Sequence, residues 1–160
     1  MVEGEENKGT TFTIFLPMLQ DKDAFISKPT TEEIVIGQGE TILIVEDNES
    51  AREAIISALE ILNYKTIVAS NGHEAFAIIQ DPTISIDLVL SDMMMPEMNG
   101  LELVKSMREQ KCWLPVVILS GYLLEDDLEI LQKLQVVGAL NKPPNLTQLA
   151  TLLRQGLASS

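Results

Sequence analysis

From Glu40 onward the chain alternates between two hydrophobic patterns. Short unbroken apolar runs, at Thr41 to Val45, Leu88 to Leu90 and Val116 to Leu119, alternate with longer stretches in which apolar residues recur every three or four positions. Runs of that length bounded by turn residues read as strands buried on both faces of a parallel sheet, and the spaced pattern reads as amphipathic helix. The spacing predicts strands over 41–46, 65–69, 86–91, 115–119 and 136–140. It predicts helices over 49–62, 72–80, 99–110, 124–134 and 145–157. In the first helix Ala51, Ala54, Ile55, Ala58, Leu59 and Leu62 share one face, and in the third Leu101, Val104 and Met107 point inward. Asn48 and Asn145 stand where N-caps are needed, and Pro82 stops the second helix. Glu125, Asp126 and Asp127 open the fourth helix, where the helix dipole favours acids. Five βα units imply an α/β domain, a doubly wound parallel sheet with right-handed crossovers and helices on both faces.

Residues 1–39 have a different character. Met1 to Lys8 is polar and acidic, Gly9-Thr10-Thr11-Phe12-Thr13-Ile14-Phe15-Leu16-Pro17 reads as one short strand stopped by proline, and the polar stretch through Gln38 reads as a linker. Composition narrows the function. Hydrophobic residues make up 46% of the chain, enough for a core, and with only 4% aromatic residues that core is aliphatic. The net charge of −13 argues against nucleic acid, whose binding rests on neutralising phosphates with Lys and Arg. From Glu40 onward 17 acids face 8 bases, so the excess lies mainly in the globular part. The single cysteine, Cys112, excludes an intrachain disulfide and suits a reducing compartment. There is no signal peptide and no apolar run of membrane-spanning length, so the expectation is a cytoplasmic fragment without direct membrane contact.

The chemistry lies where the strands stop. The first ends in Glu46-Asp47, the third in Asp92, the fourth in Ser120, and the last is followed by Lys142. The flavodoxin-like strand order 2-1-3-4-5 fits the pattern, and its switch point falls between the first and third strands, so the three carboxylates meet where such sheets collect ligands. Three carboxylates in one cleft repel one another; either one stays protonated or a cation sits among them. A hard divalent ion such as Mg²⁺ suits oxygen ligands and keeps open positions for phosphate oxygens. Lys142 offers a compact cation and Ser120 a hydroxyl to a phosphoryl group, and Asp92 is the candidate nucleophile, since carboxylates can form aspartyl phosphates. Met93, Met94 and Met95 are loop packing rather than metal ligands, His73 has no partner ligands, and Cys112 beside Trp113 reads as a packed thiol.

With IVEDNE, LSDMMMPEMNG, ILSG and NKPP in that order, the stretch from about 40 to 158 resembles the receiver domain of two-component response regulators. The resemblance implies that Asp92 is the phosphoacceptor. It also implies Mg²⁺ held by Asp47, Asp92 and the Met94 backbone carbonyl, with Glu46 acting through water. Ser120 and Lys142 would bind the phosphoryl group, and the Lys142-Pro143 bond would be cis. Two positions depart from the family: Ala139 replaces a common aromatic three residues before the lysine, and Pro144 replaces the aromatic after Lys142-Pro143. The switch is therefore expected to use the 120–124 loop or Tyr122.

GTTFTIFLP looks like the last strand of the ATP-binding domain of sensor histidine kinases. This divides the chain into a kinase remnant over 1–20, a linker over 21–39 and a receiver domain over 40–160, the C-terminal piece of a hybrid kinase. The implied partners are that sensor histidine kinase in cis or a histidine phosphotransfer protein, with no nucleic acid. A lone strand over 10–17 leaves its backbone unpaired, so it is expected to be disordered, folded back, or paired with a second copy in a homodimer. About 15 residues follow Pro144, so output is expected through a surface around the 124–134 helix, the last strand and the last helix. An aspartate-based phosphatase would need a second acid two residues past its nucleophile, where Met94 stands, and a flavodoxin would need a phosphate-cradling loop where Glu-Asp-Asn-Glu stands. A receiver acting only as an interaction module, without phosphorylation, is the remaining alternative. Met94 and Tyr122 lie two residues past Asp92 and Ser120 and offer no carboxylate or amide to orient an attacking water. The phosphoryl group should therefore be lost slowly, with added crowding unless Tyr122 turns outward.

Overall fold

The computed structural model describes residues 34–159. The segment from 1 to 20, including the expected strand over 10–17, and most of the expected linker lie outside them. Five strands and five helices alternate: β1 (Thr41–Val45), α1 (Glu49–Ile61), β2 (Lys65–Ala69), α2 (Gly72–Gln80), β3 (Leu88–Asp92), α3 (Gly100–Glu109), β4 (Val116–Ser120), α4 (Glu125–Lys133), β5 (Gly138–Asn141) and α5 (Leu146–Ala158). The sheet is parallel throughout, in the order β2-β1-β3-β4-β5, as the five βα units require. Each crossover helix lies on a face of the sheet, and strand side chains alternate between the two faces. Ile42, Ile44, Leu88, Leu90, Val117 and Leu119 pack with Ile55 and Leu59 of α1 and Leu149 and Leu153 of α5. Leu43, Val45, Val89, Val116 and Ile118 pack with Ala75 of α2, Leu103, Val104 and Met107 of α3, and Leu131 of α4.

Local chemistry explains the boundaries. The side chains of Asn48, Asn71, Asn99 and Asn145 cap α1, α2, α3 and α5, each accepting a backbone N–H from the first turn. Asn99 and Glu102 form a reciprocal capping box. Three strands start later than the apolar pattern suggests, β4 by one residue and β3 and β5 by two. Asp87 donates its N–H to the Thr41 carbonyl and accepts the Thr41 N–H on its carboxylate, 2.7 Å away, before the β3 ladder begins. Before β5, Gln135 takes a positive φ of 55° and Val136 N–H closes onto the Leu131 carbonyl, so these residues finish the turn after α4. Ala54 is exposed rather than inward, and Leu103, absent from the expected inner face of α3, is fully buried while Leu101 is only partly so. The last linker residues are tied down: Gly37 N–H donates to the Leu62 carbonyl, and Asn63 Nδ2 to the Gly37 carbonyl.

The start of α3 is pressed against the end of β3. A Cβ at Gly100 would lie 2.3 Å from the Asp92 carbonyl oxygen, and Gly100 N–H donates to the Met93 carbonyl at 3.0 Å. A side chain there must push the Asp92 backbone aside. We expect Gly100→Ala to cost about 1–3 kcal/mol of stability in urea unfolding. Gly121→Ala, whose Cβ meets nothing within 4 Å, should unfold like the parent protein.

Candidate functional site

Parallel pairing brings the carboxyl ends of the strands to one edge. Val45 pairs with Ser91, so the residues that follow, Glu46 and Asp92, leave the sheet side by side. Ser120 pairs with Asn141, and Lys142 N–H then donates to the Ser120 carbonyl at 2.8 Å. That bond starts Lys142 back toward the centre of the sheet. Its Nζ donates to Glu46 Oε2 at 2.5 Å and to Asp92 Oδ2 at 2.8 Å. Glu46 is 1% exposed and Asp92 6%, whereas Asp47 faces solvent. Carboxylate oxygens of Glu46, Asp47 and Asp92 lie within 4.8 Å of one another.

Further donors hold these acids. Asn48 N–H donates to Glu46 Oε1 at 3.1 Å, and Met94 N–H to Asp92 Oδ1 at 3.2 Å. Arg52, which the sequence reading passed over, donates from Nη1 to the Glu46 carbonyl at 3.0 Å. Its signal was available: it stands one turn into α1, within reach of the strand end that α1 follows. Burial raises the Glu46 pKa above the ordinary carboxylate range, against the opposing pull of Lys142. For Lys142 burial alone would lower the pKa, but its hydrogen bonds to Asp92 and Glu46 outweigh that and raise it. Lys142 thus stays charged at neutral pH. One ammonium against three acids leaves the cleft negative, and its donors are hard oxygens, the set a divalent cation such as Mg²⁺ prefers.

Ser120 and its loop differ from the simplest expectation. The Ser120 hydroxyl donates to the Tyr122 carbonyl at 2.7 Å and accepts the Tyr122 N–H at 3.2 Å. The Tyr122 side chain is 77% exposed and that of Met94 74%, so neither covers Asp92 in this conformation. The Lys142-Pro143 bond is cis. Ala139 sits in register with Ile118 and packs against the core of the α2, α3 and α4 face.

Residues 42–154 match the family of response regulator receiver domains. The chain is 33% identical to the sensor kinase CckA of Brucella abortus (strain 2308), a similarity spanning 97% of this chain and 17% of that protein. It is 29% identical to the sensor protein EvgS of Escherichia coli (strain K12), over 96% of this chain and 13% of the relative. Its fold overlays that of the chemotaxis protein CheY4 of Vibrio cholerae with a TM-score of 0.65 and 31% identity, covering 72% of this chain and 98% of the other. The chain belongs to the response regulator receiver family, whose function is to accept a phosphoryl group in two-component signalling. Such domains work with histidine kinases or phosphotransfer proteins and bind Mg²⁺ at an acidic pocket. Among the described residues no helix is long and apolar enough to cross a membrane.

Removing the ammonium tests how the cleft is balanced. In EDTA at neutral pH, Lys142→Met should lose about 2–4 kcal/mol, because two buried carboxylates are left facing each other. The deficit should shrink as pH falls, since Glu46, already raised by burial, rises further without its partner and takes up a proton. Urea midpoints at neutral and mildly acidic pH measure both.

Proposed function

We propose that Asp92 accepts the phosphoryl group from a phosphohistidine in a Mg²⁺-dependent reaction, and that Ser120, Lys142 and the loop after Ser120 convert its arrival into a changed protein surface. The observation that carries this reading is the convergence of Glu46, Asp47 and Asp92 within 4.8 Å, with Lys142 bound to both Glu46 and Asp92. In the step an Asp92 carboxylate oxygen attacks phosphorus, the N–P bond breaks, and the imidazole leaves with the electron pair. Asp47, Asp92 and the Met94 carbonyl would hold Mg²⁺, with Glu46 acting through water, and the ion would neutralise charge on the phosphoryl oxygens. Lys142 stands beside the same carboxylate to bind one of those oxygens, which suits a reaction that depends on positioning and charge neutralisation.

The Ser120 hydroxyl carries one hydrogen, now given to the Tyr122 carbonyl. To donate to a phosphoryl oxygen it must release that carbonyl, so phosphorylation loosens the 120–124 loop, which keeps only the Tyr122 N–H bond to the same hydroxyl oxygen. With Ala139 in place of an aromatic, the moving side chain is Tyr122 itself. Pro143 fixes the turn that aims Lys142. Slow loss of phosphate follows from chemistry rather than shielding, since Met94 and Tyr122 stand outward and neither can orient a water as an amide or carboxylate would.

The division into a kinase remnant over 1–20, a linker over 21–39 and a receiver over 40–160 is supported by the similarity to CckA, which runs over 97% of this chain rather than stopping at the family match. The chain spans 17% of that relative, so we read it as part of a hybrid kinase working in the cytoplasm. Its donor is that kinase in cis or a histidine phosphotransfer protein. Pairing of the 10–17 segment between copies would make it a homodimer.

Acetyl phosphate with Mg²⁺ should add one phosphate to the parent protein and none to Asp92→Asn, by intact mass. Unlabelled parent protein would favour the interaction module that works without phosphorylation. Mg²⁺ affinity, by titration calorimetry, should weaken as pH falls from neutral, because the proton that burial favours on Glu46 must leave first. Once phosphorylated, Met94→Asn with Tyr122→Glu should decay about tenfold faster than the parent protein. Equal decay would remove these two side chains from control of the lifetime.

A further inference from the structure

We propose that the end of the molecule carrying Asp92 is shaped for one kind of donor: a phosphohistidine protein whose contact surface has an apolar centre and a basic rim. The inference rests on the reading of Asp92 as phosphoacceptor and adds the chemistry of the partner. The apolar part lies on the β4–α4 side. Tyr122 follows β4, and Leu124 and Leu128 are 51% and 42% exposed. Leu124, the residue just before α4, and Leu128, one turn later, are neighbours along the helix, which buries Leu131 alone. Register places them beside the acceptor, since Asp92 pairs with Leu119 at the end of β4. Exposed large apolar side chains gathered beside a reactive group mark a contact surface rather than ordinary exterior.

The surroundings are acidic. Exposed Glu97 follows β3, exposed Glu125 and Asp126 open α4, and Asp47 closes β1, so parallel strands bring all four to the same end. Among the described residues the cations nearest the acceptor are turned inward, Arg52 to the Glu46 carbonyl and Lys142 to Glu46 and Asp92, while exposed Lys105 stands midway along α3. Lys111, Lys133 and Arg154 stand near the carboxyl ends of their helices, at the far end of the domain. The field around the acceptor therefore attracts a basic protein surface and repels a second copy of this chain or a nucleic acid. It also repels a small anionic phosphodonor. Protein and small-molecule donors should respond to salt with opposite signs.

The test runs both donors on the same 160-residue chain at saturating Mg²⁺. The protein probe is the fastest donor from a panel of autophosphorylated histidine kinases and histidine phosphotransfer proteins of the source genome; the small probe is acetyl phosphate. Raising salt from about 50 mM to about 500 mM should slow the protein donor at least about fivefold and leave acetyl phosphate labelling equal or faster. Glu125→Gln with Asp126→Asn should slow the protein donor at low salt and flatten its salt dependence. Leu128→Ser should slow it at all salt concentrations. Both variants should keep acetyl phosphate labelling within about twofold, which also shows that the site is folded. Variants that leave the protein donor unaffected, or a panel in which nothing labels a chain that acetyl phosphate labels, would overturn the docking face. Failure of acetyl phosphate on the parent protein would instead overturn Asp92 as acceptor.

Discussion

Glu46 and Asp92 leave adjacent strands with their carboxylates pointing into the same space, and Lys142 between them is what lets both be buried. Two acids of such low exposure would otherwise have to shed a charge. That single ammonium constrains the whole sheet. It requires β5 to end beside β4, the Lys142 N–H to meet the Ser120 carbonyl, and the chain to turn back at Pro143. Gly100 is part of the same constraint, because α3 must start against the Asp92 carbonyl for the β3 end to stay where it is. The cleft is nonetheless left negative, and that residual charge prepares it for a divalent cation and a phosphoryl group.

The sequence was most legible where residue type and position carry the same message. The apolar run at β3 reads as a buried central strand, and its last residue is the one carboxylate in it, so one stretch points both to the sheet and to Asp92. The asparagine caps of α1 and α5 are equally local, settled by one side chain and the nearest N–H groups. Tertiary partners decide the rest. Leu103 is an exception, since it stands four positions before Met107 on the buried stripe of α3, where helical spacing already places it. Asp87 and Val136 look like strand, but a carboxylate–backbone bond and the closing turn of α4 take their hydrogen bonds first. Arg52 stands one turn into α1, within reach of the β1 end, but only the folded chain sets its guanidinium on the Glu46 carbonyl.

The loop after Ser120 is where pattern says least. A serine at a strand end is a common residue, and nothing in the sequence tells that its hydroxyl is already given to the Tyr122 carbonyl or that the ring stands outward. In the proposed switch that bond connects Asp92 to the outside. On the reading proposed for Ser120, its one hydrogen passes from the Tyr122 carbonyl to the phosphoryl group while its oxygen keeps the Tyr122 N–H, and Tyr122 and Leu124 ride on what is released. With Ala139 packed in the core, the proposed link between the cleft and the surface seen by a partner runs through a few residues of backbone after Ser120.

The central claim is that phosphate arrives at Asp92 and nowhere else, and chemical trapping tests it most directly. Borohydride reduces an aspartyl phosphate to homoserine, which peptide mass mapping then locates. After treatment with acetyl phosphate and Mg²⁺, homoserine should appear at position 92 alone. Homoserine at position 47 with 92 unchanged, or reduction at neither, would contradict the account.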